Sequence, residues 1–227
     1  MKSKNNKIIE DNIDSKPITN LDYINNRINK EICHDTINKL KDTYLINEYE
    51  KCPSVQNAIK KLELILEKHN IEINIKKLII SDYILDLIPP GTKGVIRGNK
   101  FNSIVKETIE NLKLNTERFE ICFEKQYIKS ITSEIPDWYI VEKSTGKVII
   151  GMNQLDLVGG GQQLNRGYKY LIDNKYNTIN SKLLCIICNY IQFKTYNKKT
   201  KLFEVGFINN TLSYLHNINF IIDNFFN

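Results

Sequence analysis

Asp137 and the polar residues that close the following strand are the part of this chain best suited to chemistry. Glu134-Ile135-Pro136-Asp137-Trp138 leads into a strand-like run, Lys143-Ser144-Thr145-Gly146 supplies a turn, and Lys147-Val148-Ile149-Ile150-Gly151-Met152-Asn153-Gln154-Leu155-Asp156 runs back. Such a hairpin sets one acidic residue beside a second, polar strand end, the arrangement by which a metal-dependent phosphodiesterase holds a divalent cation against a phosphate. The other reading of Asp137 is a turn aspartate that enters a strand after proline. Residues two apart on a strand share a face, so Met152, Gln154 and Asp156 point one way and Asn153 and Leu155 the other.

A second polar motif follows at once: Gly159-Gly160-Gly161-Gln162-Gln163-Leu164-Asn165-Arg166-Gly167-Tyr168-Lys169-Tyr170. Glycines let a backbone approach a ligand closely, and a helix after them aims free N–H groups at phosphate. Gln, Asn and Arg are also the side chains that pair with adenine and guanine edges. Gly160, Gly161, Gln162, Gln163, Asn165, Arg166 and Lys169 are therefore the expected DNA contacts, with Arg166 and Lys169 on phosphate. No Gly-Lys-Ser/Thr follows and the third glycine of the dinucleotide fingerprint is missing, so neither of those phosphate motifs is present. A flexible loop ahead of a solvated helix is the alternative.

The elements that must position these residues can be traced from periodicity. Residues 21 to 88 carry apolar groups at helical spacing, including Leu21, Ile24, Ile28 and Ile32, then Val55, Ile59, Leu62 and Leu66, with a helix start at Pro53-Ser54. Pro89-Pro90-Gly91-Thr92-Lys93-Gly94 reads as the strongest break. Beyond it, Phe101, Ile104, Val105, Thr108, Ile109 and Leu112 mark a helix from about Asn99 to Lys113, and Phe119 to Ile128 alternates as a strand. The hairpin spans about Trp138 to Glu142 and Lys147 to Asn153, Gln162 to Asn174 is helical, and Leu183 to Ile191 is a buried strand. A second hairpin over Phe193 to Phe207 and a closing helix to about Phe220 complete the chain. The expected organisation is a disordered polar segment at 1–20, a helical region at 21–88 and one further domain at 89–227.

This order of helix, three strands, helix and strand over roughly residues 97 to 193, together with the Pro136-Asp137 step, resembles the PD-(D/E)xK nuclease superfamily, to which many type II restriction endonucleases belong. Arg97-Gly98-Asn99-Lys100-Phe101-Asn102 is similar to the start of that family's first core helix, where Gly and then Phe-Glu are frequent and where Asn102 here replaces the Glu. The resemblance implies an α/β chain of the α+β kind, a mixed sheet in an α-β-β-β-α-β core with the helical region beside it. It implies that Asp137 ligates Mg²⁺, or Mn²⁺ in its place, and that Gln154 stands for the lysine that closes the family's acid-x-Lys element. Met152 then stands where the acid belongs, and a thioether is a poor ligand for a hard cation. A second carboxylate is expected from Asp156 or Glu124, ahead of Glu134 and Glu120. The implied function is Mg²⁺-dependent, restriction-enzyme-like cleavage of duplex DNA, and such enzymes often act as homodimers. The rival is a catalytically degenerate nuclease-fold protein that binds DNA, and a third reading is an interaction protein that works through its N-terminal helices.

Composition supports an anionic partner without naming it. The net charge of +6 favours nucleic acid, although part of the excess sits near the N-terminus. The cysteines number five, and Cys185 and Cys188 lie in an apolar run without a nearby His, which fits buried thiols of an intracellular, cytoplasmic protein better than a metal or redox site. No apolar run approaches the length of a membrane span, so no membrane association is expected. His34, His69 and His216 are scattered, and no nucleophilic triad is visible.

Overall fold

The computed structural model describes residues 36, 38–127, 134–155, 169–171, 177–187 and 205–227. Strand-forming runs rich in Ile, Val and aromatic residues assemble into one five-stranded mixed sheet whose spatial order follows the sequence. The strands are β1 (Phe119–Phe123), β2 (Trp138–Glu142), β3 (Val148–Gln154), β4 (Ser181–Ile187) and β5 (Leu212–Tyr214). β1, β2 and β3 pair antiparallel, whereas β3, β4 and β5 run parallel. The β2–β3 turn closes through Gly146, whose φ of +71° lies in the left-handed region that only glycine adopts freely. Glu124, with φ +51°, ends β1 well short of Ile128.

Numbered among the described residues, the helices are α1 (Ile46–Glu50), α2 (Pro53–Lys68), α3 (Ile73–Tyr83), α4 (Pro90–Asn111) and α5 (Ile218–Phe226). The turn between α3 and α4 covers residues 84–89, so most of the proline-glycine segment lies inside α4 rather than in the break. Pro89 caps α4 and Pro90 sits at its first position, where its fixed φ suits a helix and its missing N–H is not needed. Gly91, Gly94 and Gly98 are carried inside the helix with open space around each, so they weaken it without disturbing any neighbour.

Alternation sorts the sheet into two apolar layers. One face packs Phe101, Val105 and Ile109 of α4 and Ile218, Ile221 and Ile222 of α5 on Trp138, Ile140, Ile149 and Leu184. The other places Tyr170, Leu171 and Phe207 over Tyr139, Ile150, Met152 and Cys185. Because both faces are covered, β3 is buried at every position from Val148 to Asn153. Most of the expected second hairpin, residues 193–204, lies outside the described residues, and the chain's end beyond it differs from the sequence reading. Residues 205–208 are helical, Leu212–Tyr214 adds a fifth strand beside β4, and the closing helix runs from Ile218 to Phe226 rather than stopping near Phe220.

A third cluster, Leu45, Tyr49, Val55 and Ile88, packs with Ile96 of α4. Asp42 joins it by accepting hydrogen bonds from the Tyr49 hydroxyl at 2.6 Å and from Arg97 Nη2 at 2.5 Å, with Lys93 Nζ at 3.6 Å. Burial works against the Asp42 charge, but these donors outweigh it and hold its carboxyl below the usual range. Cys52, Cys122 and Cys185 carry free thiols, and burial pushes that of Cys185 up. No helix among the described residues is long and apolar enough to cross a membrane.

His216 stacks parallel on Tyr214 with ring centroids 5.8 Å apart, and burial pushes its pKa down from 6.5 to about 4. A folded-state value below the unfolded one means that the neutral ring stabilises the fold above pH 6.5 and that this contribution disappears as pH falls toward 4. Urea titrations at pH 7 and pH 5 should therefore differ by about 2 kcal/mol from this residue alone. The same pair of titrations on His216→Phe, which keeps the ring, should show that part of the difference gone; an unchanged difference would place the acid sensitivity elsewhere.

Candidate active site

Pro136 is buried and fixes the entry of the chain into β2. The Asp137 N–H donates to Gly151 O at 3.1 Å, and Asp137 O accepts from the Glu124 N–H at 2.9 Å, so this residue is already tied to β1 and β3. The indole of Trp138 lies on Gly151, its partner in the β2–β3 ladder; a Cβ built on that glycine would come within 1.8 Å of Trp138 Cε2.

A directed chain of hydrogen bonds converges on the Asp137 carboxylate. Trp138 Nε1 donates to Asn153 Oδ1 at 3.0 Å, Asn153 Nδ2 to Asn102 Oδ1 at 3.1 Å, and Asn102 Nδ2 to Asp137 Oδ1 at 3.0 Å. The backbone N–H of Asn153 donates to Asp137 Oδ2 at 2.6 Å. An indole can only donate, which fixes the orientation of both amides in turn and makes Asp137 the acceptor at the end. Donors on both oxygens hold the orientation of the carboxyl group.

Next to this network opens a cavity of about 360 Å³ lined by Asn99, Asn102, Ser103 and Lys106 of α4, Phe123 and Glu124 at the end of β1, Asp137, Trp138 and Asn153. The α4 residues stand at i, i+3, i+4 and i+7, a polar stripe beside the apolar one of Phe101, Val105 and Ile109. Lys106 lies with Nζ 5.2 Å from the Phe123 ring centroid and 3.9 Å from Glu110. Asp137, Glu124 and Lys106 are the ionisable groups in this lining.

The structure brings Asp137 and Glu124 to one cavity and separates other expected members from it. The face of β3 that meets Asp137 is that of Gly151 and Asn153, whereas Met152 packs in the apolar layer opposite. Gln154 shares the Met152 side by alternation and is not part of the lining. Met152 therefore does not occupy the place beside Asp137; Asn153 does. Glu120 is exposed on β1, with Cys122 Sγ 3.5 Å from its Oε1. Glu134 accepts from Lys169 Nζ at 2.9 Å and from the Tyr170 hydroxyl. Asp156, Gly160, Gly161, Gln162, Gln163, Asn165 and Arg166 lie outside the described residues. Asn153, Asn99, Ser103 and Lys106 had not been singled out from the sequence; the spacing of the α4 residues is the signal that could have found them.

Among the described residues no group of three or more His, Cys, Asp or Glu side chains is placed to hold a metal ion. The donors at the cavity are nonetheless hard oxygens, two carboxylates, three amides and a hydroxyl, and Mg²⁺ commonly takes one or two carboxylates and fills the rest with water and phosphate oxygens. Comparison with protein-family models, curated proteins and solved structures finds no match to this chain.

Proposed function

We propose that the protein is a Mg²⁺-dependent, restriction-enzyme-like DNA endonuclease that hydrolyses phosphodiester bonds by water attack. The supporting observation is that Asp137 and Glu124, which flank the adjoining ends of β2 and β1, and Lys106, from the covering helix, line one cavity, with Asp137 held by its donors. The element order α4, β1, β2, β3 and then β4 parallel to β3 is compatible with a PD-(D/E)xK core. In this reading Asp137 and Glu124 hold the cation, and Mn²⁺ serves in its place. A cation bound there lowers the pKa of its water and offsets charge on the phosphate. Lys106 supplies positive charge for the scissile phosphate from α4, a role β3 does not fill because Gln154 lies on its other face and outside the lining. Asn102 and Asn153 hold Asp137 in its orientation.

One observation favours a second reading, a nuclease-fold protein that binds DNA without cutting it. Both groups beside Asp137 are neutral amides that donate to its oxygens or to each other, where a second acid would add negative charge. Supercoiled plasmid incubated with the protein in Mg²⁺ or Mn²⁺ decides between them. Nicked or linear product that EDTA suppresses supports the nuclease, and bound but intact plasmid in both metals supports the binder.

A further inference from the structure

Glu134 lies three residues before Asp137, within about 11 Å of it along the chain, and its two carboxylate oxygens are taken by two different donors. Lys169 Nζ gives one contact at 2.9 Å and the Tyr170 hydroxyl gives the other. Tyr170 is fully buried, so its hydroxyl is held in place by the core around its ring, whereas the side chains of Lys169 and Glu134 are 30% and 36% exposed. An ammonium beside a fixed hydroxyl offers two oxygens of one anion the two-point contact that non-bridging oxygens of a phosphodiester accept equally well. An ion pair this exposed contributes little to stability, so a phosphate can replace the carboxylate without dismantling the fold.

We infer that Lys169 and Tyr170 form a binding site for a DNA backbone phosphate, which Glu134 occupies in the free protein and vacates when DNA arrives. The inference rests on the DNA reading above and adds a self-occupied contact to it. Its mark is in ion release. While Glu134 covers Lys169, a phosphate that takes the lysine frees a carboxylate, and the exchange releases almost no net counterion. With Glu134→Gln the lysine contributes fully, and the slope of log affinity against log salt should steepen by about 0.9. Between 50 and 200 mM KCl the variant should thus lose about 3.5-fold more affinity than wild type for a short duplex, and it should bind more tightly at the lower salt. The double variant Glu134→Gln, Lys169→Ala should return to the wild-type slope.

Equal slopes in wild type and Glu134→Gln, with both binding DNA, would make the contact a structural latch and end the inference. Absence of duplex binding by either protein at 50 mM KCl would instead remove the DNA reading, and this site with it. If Glu134→Gln fails to fold, Lys169→Gln is the test: weaker binding at unchanged slope is expected, and unchanged affinity overturns the proposal.

Discussion

Asp137→Asn is expected to lower metal-dependent plasmid cleavage by roughly three orders of magnitude, the several kcal/mol that a bound cation contributes at a phosphoryl centre. The geometry also says that this substitution is not silent for the fold. Asp137 accepts on both oxygens, from Asn102 Nδ2 and from the Asn153 N–H, and an amide in its place must turn one donor toward another. A loss of about 1–3 kcal/mol in stability should accompany the loss of activity. Asn102→Ala separates the two effects, because it removes a donor to the carboxylate while leaving the charge. It should unfold at nearly the same urea concentration as Asp137→Asn yet retain measurable cleavage. If Asp137→Asn cuts plasmid at the wild-type rate, the carboxylate is not the metal ligand and the proposed site is wrong.

Gly151→Ala should be the most damaging single methyl group in the described chain. Its Cβ would lie 1.8 Å from Trp138 Cε2, 2.3 Å from Cδ2 and 2.3 Å from Cζ2, so the indole itself must move, and the indole is a buried ring tied to Asn153. Overpacking of this kind costs about 3 kcal/mol, only partly offset by the better strand propensity of alanine. A fall of about 6–12 °C in melting temperature is expected for a chain of this size. Trp138→Leu in the same background should restore part of that loss, since the two changes share one space and cannot add. A melting temperature within a degree of wild type for Gly151→Ala alone would contradict the contact.

The hairpin was legible because its determinants are local: alternation, the Pro136-Asp137 entry and a glycine turn at Gly146. Which face of β3 would meet Asp137 was not, because alternation distinguishes two faces but does not say what covers each. That is decided by α4 on one side and by Tyr170 and Leu171 on the other, contacts distant in sequence. The start of α4 was misread for a related reason: Pro90 and the glycines after it read as a break, although α3 has already ended at Tyr83 and a proline at the first helical position opens a helix. Leu212–Tyr214 escaped notice because a strand of three residues has almost no period, and its partner β4 is parallel and remote. Asp137 and Glu124 were reached from chemistry; Asn153 was set aside with the wrong face, and the α4 stripe was read only for its apolar half.

The contact between Trp138 and Gly151 has a meaning for misfolding as well as for stability. Side chains alternate along β3, so a slip of one residue against β2 would exchange the environments of Met152 and Asn153 throughout the site. The slipped chain would bury the Asn153 amide in an apolar layer and would bring a bulkier residue, Ile150 or Met152, beneath an indole that fits only on glycine. Steric exclusion and a lost hydrogen bond thus penalise the same wrong alignment. The smallest residue of the strand, rather than any of its large ones, selects which side chains this sheet turns toward the cavity beside Asp137.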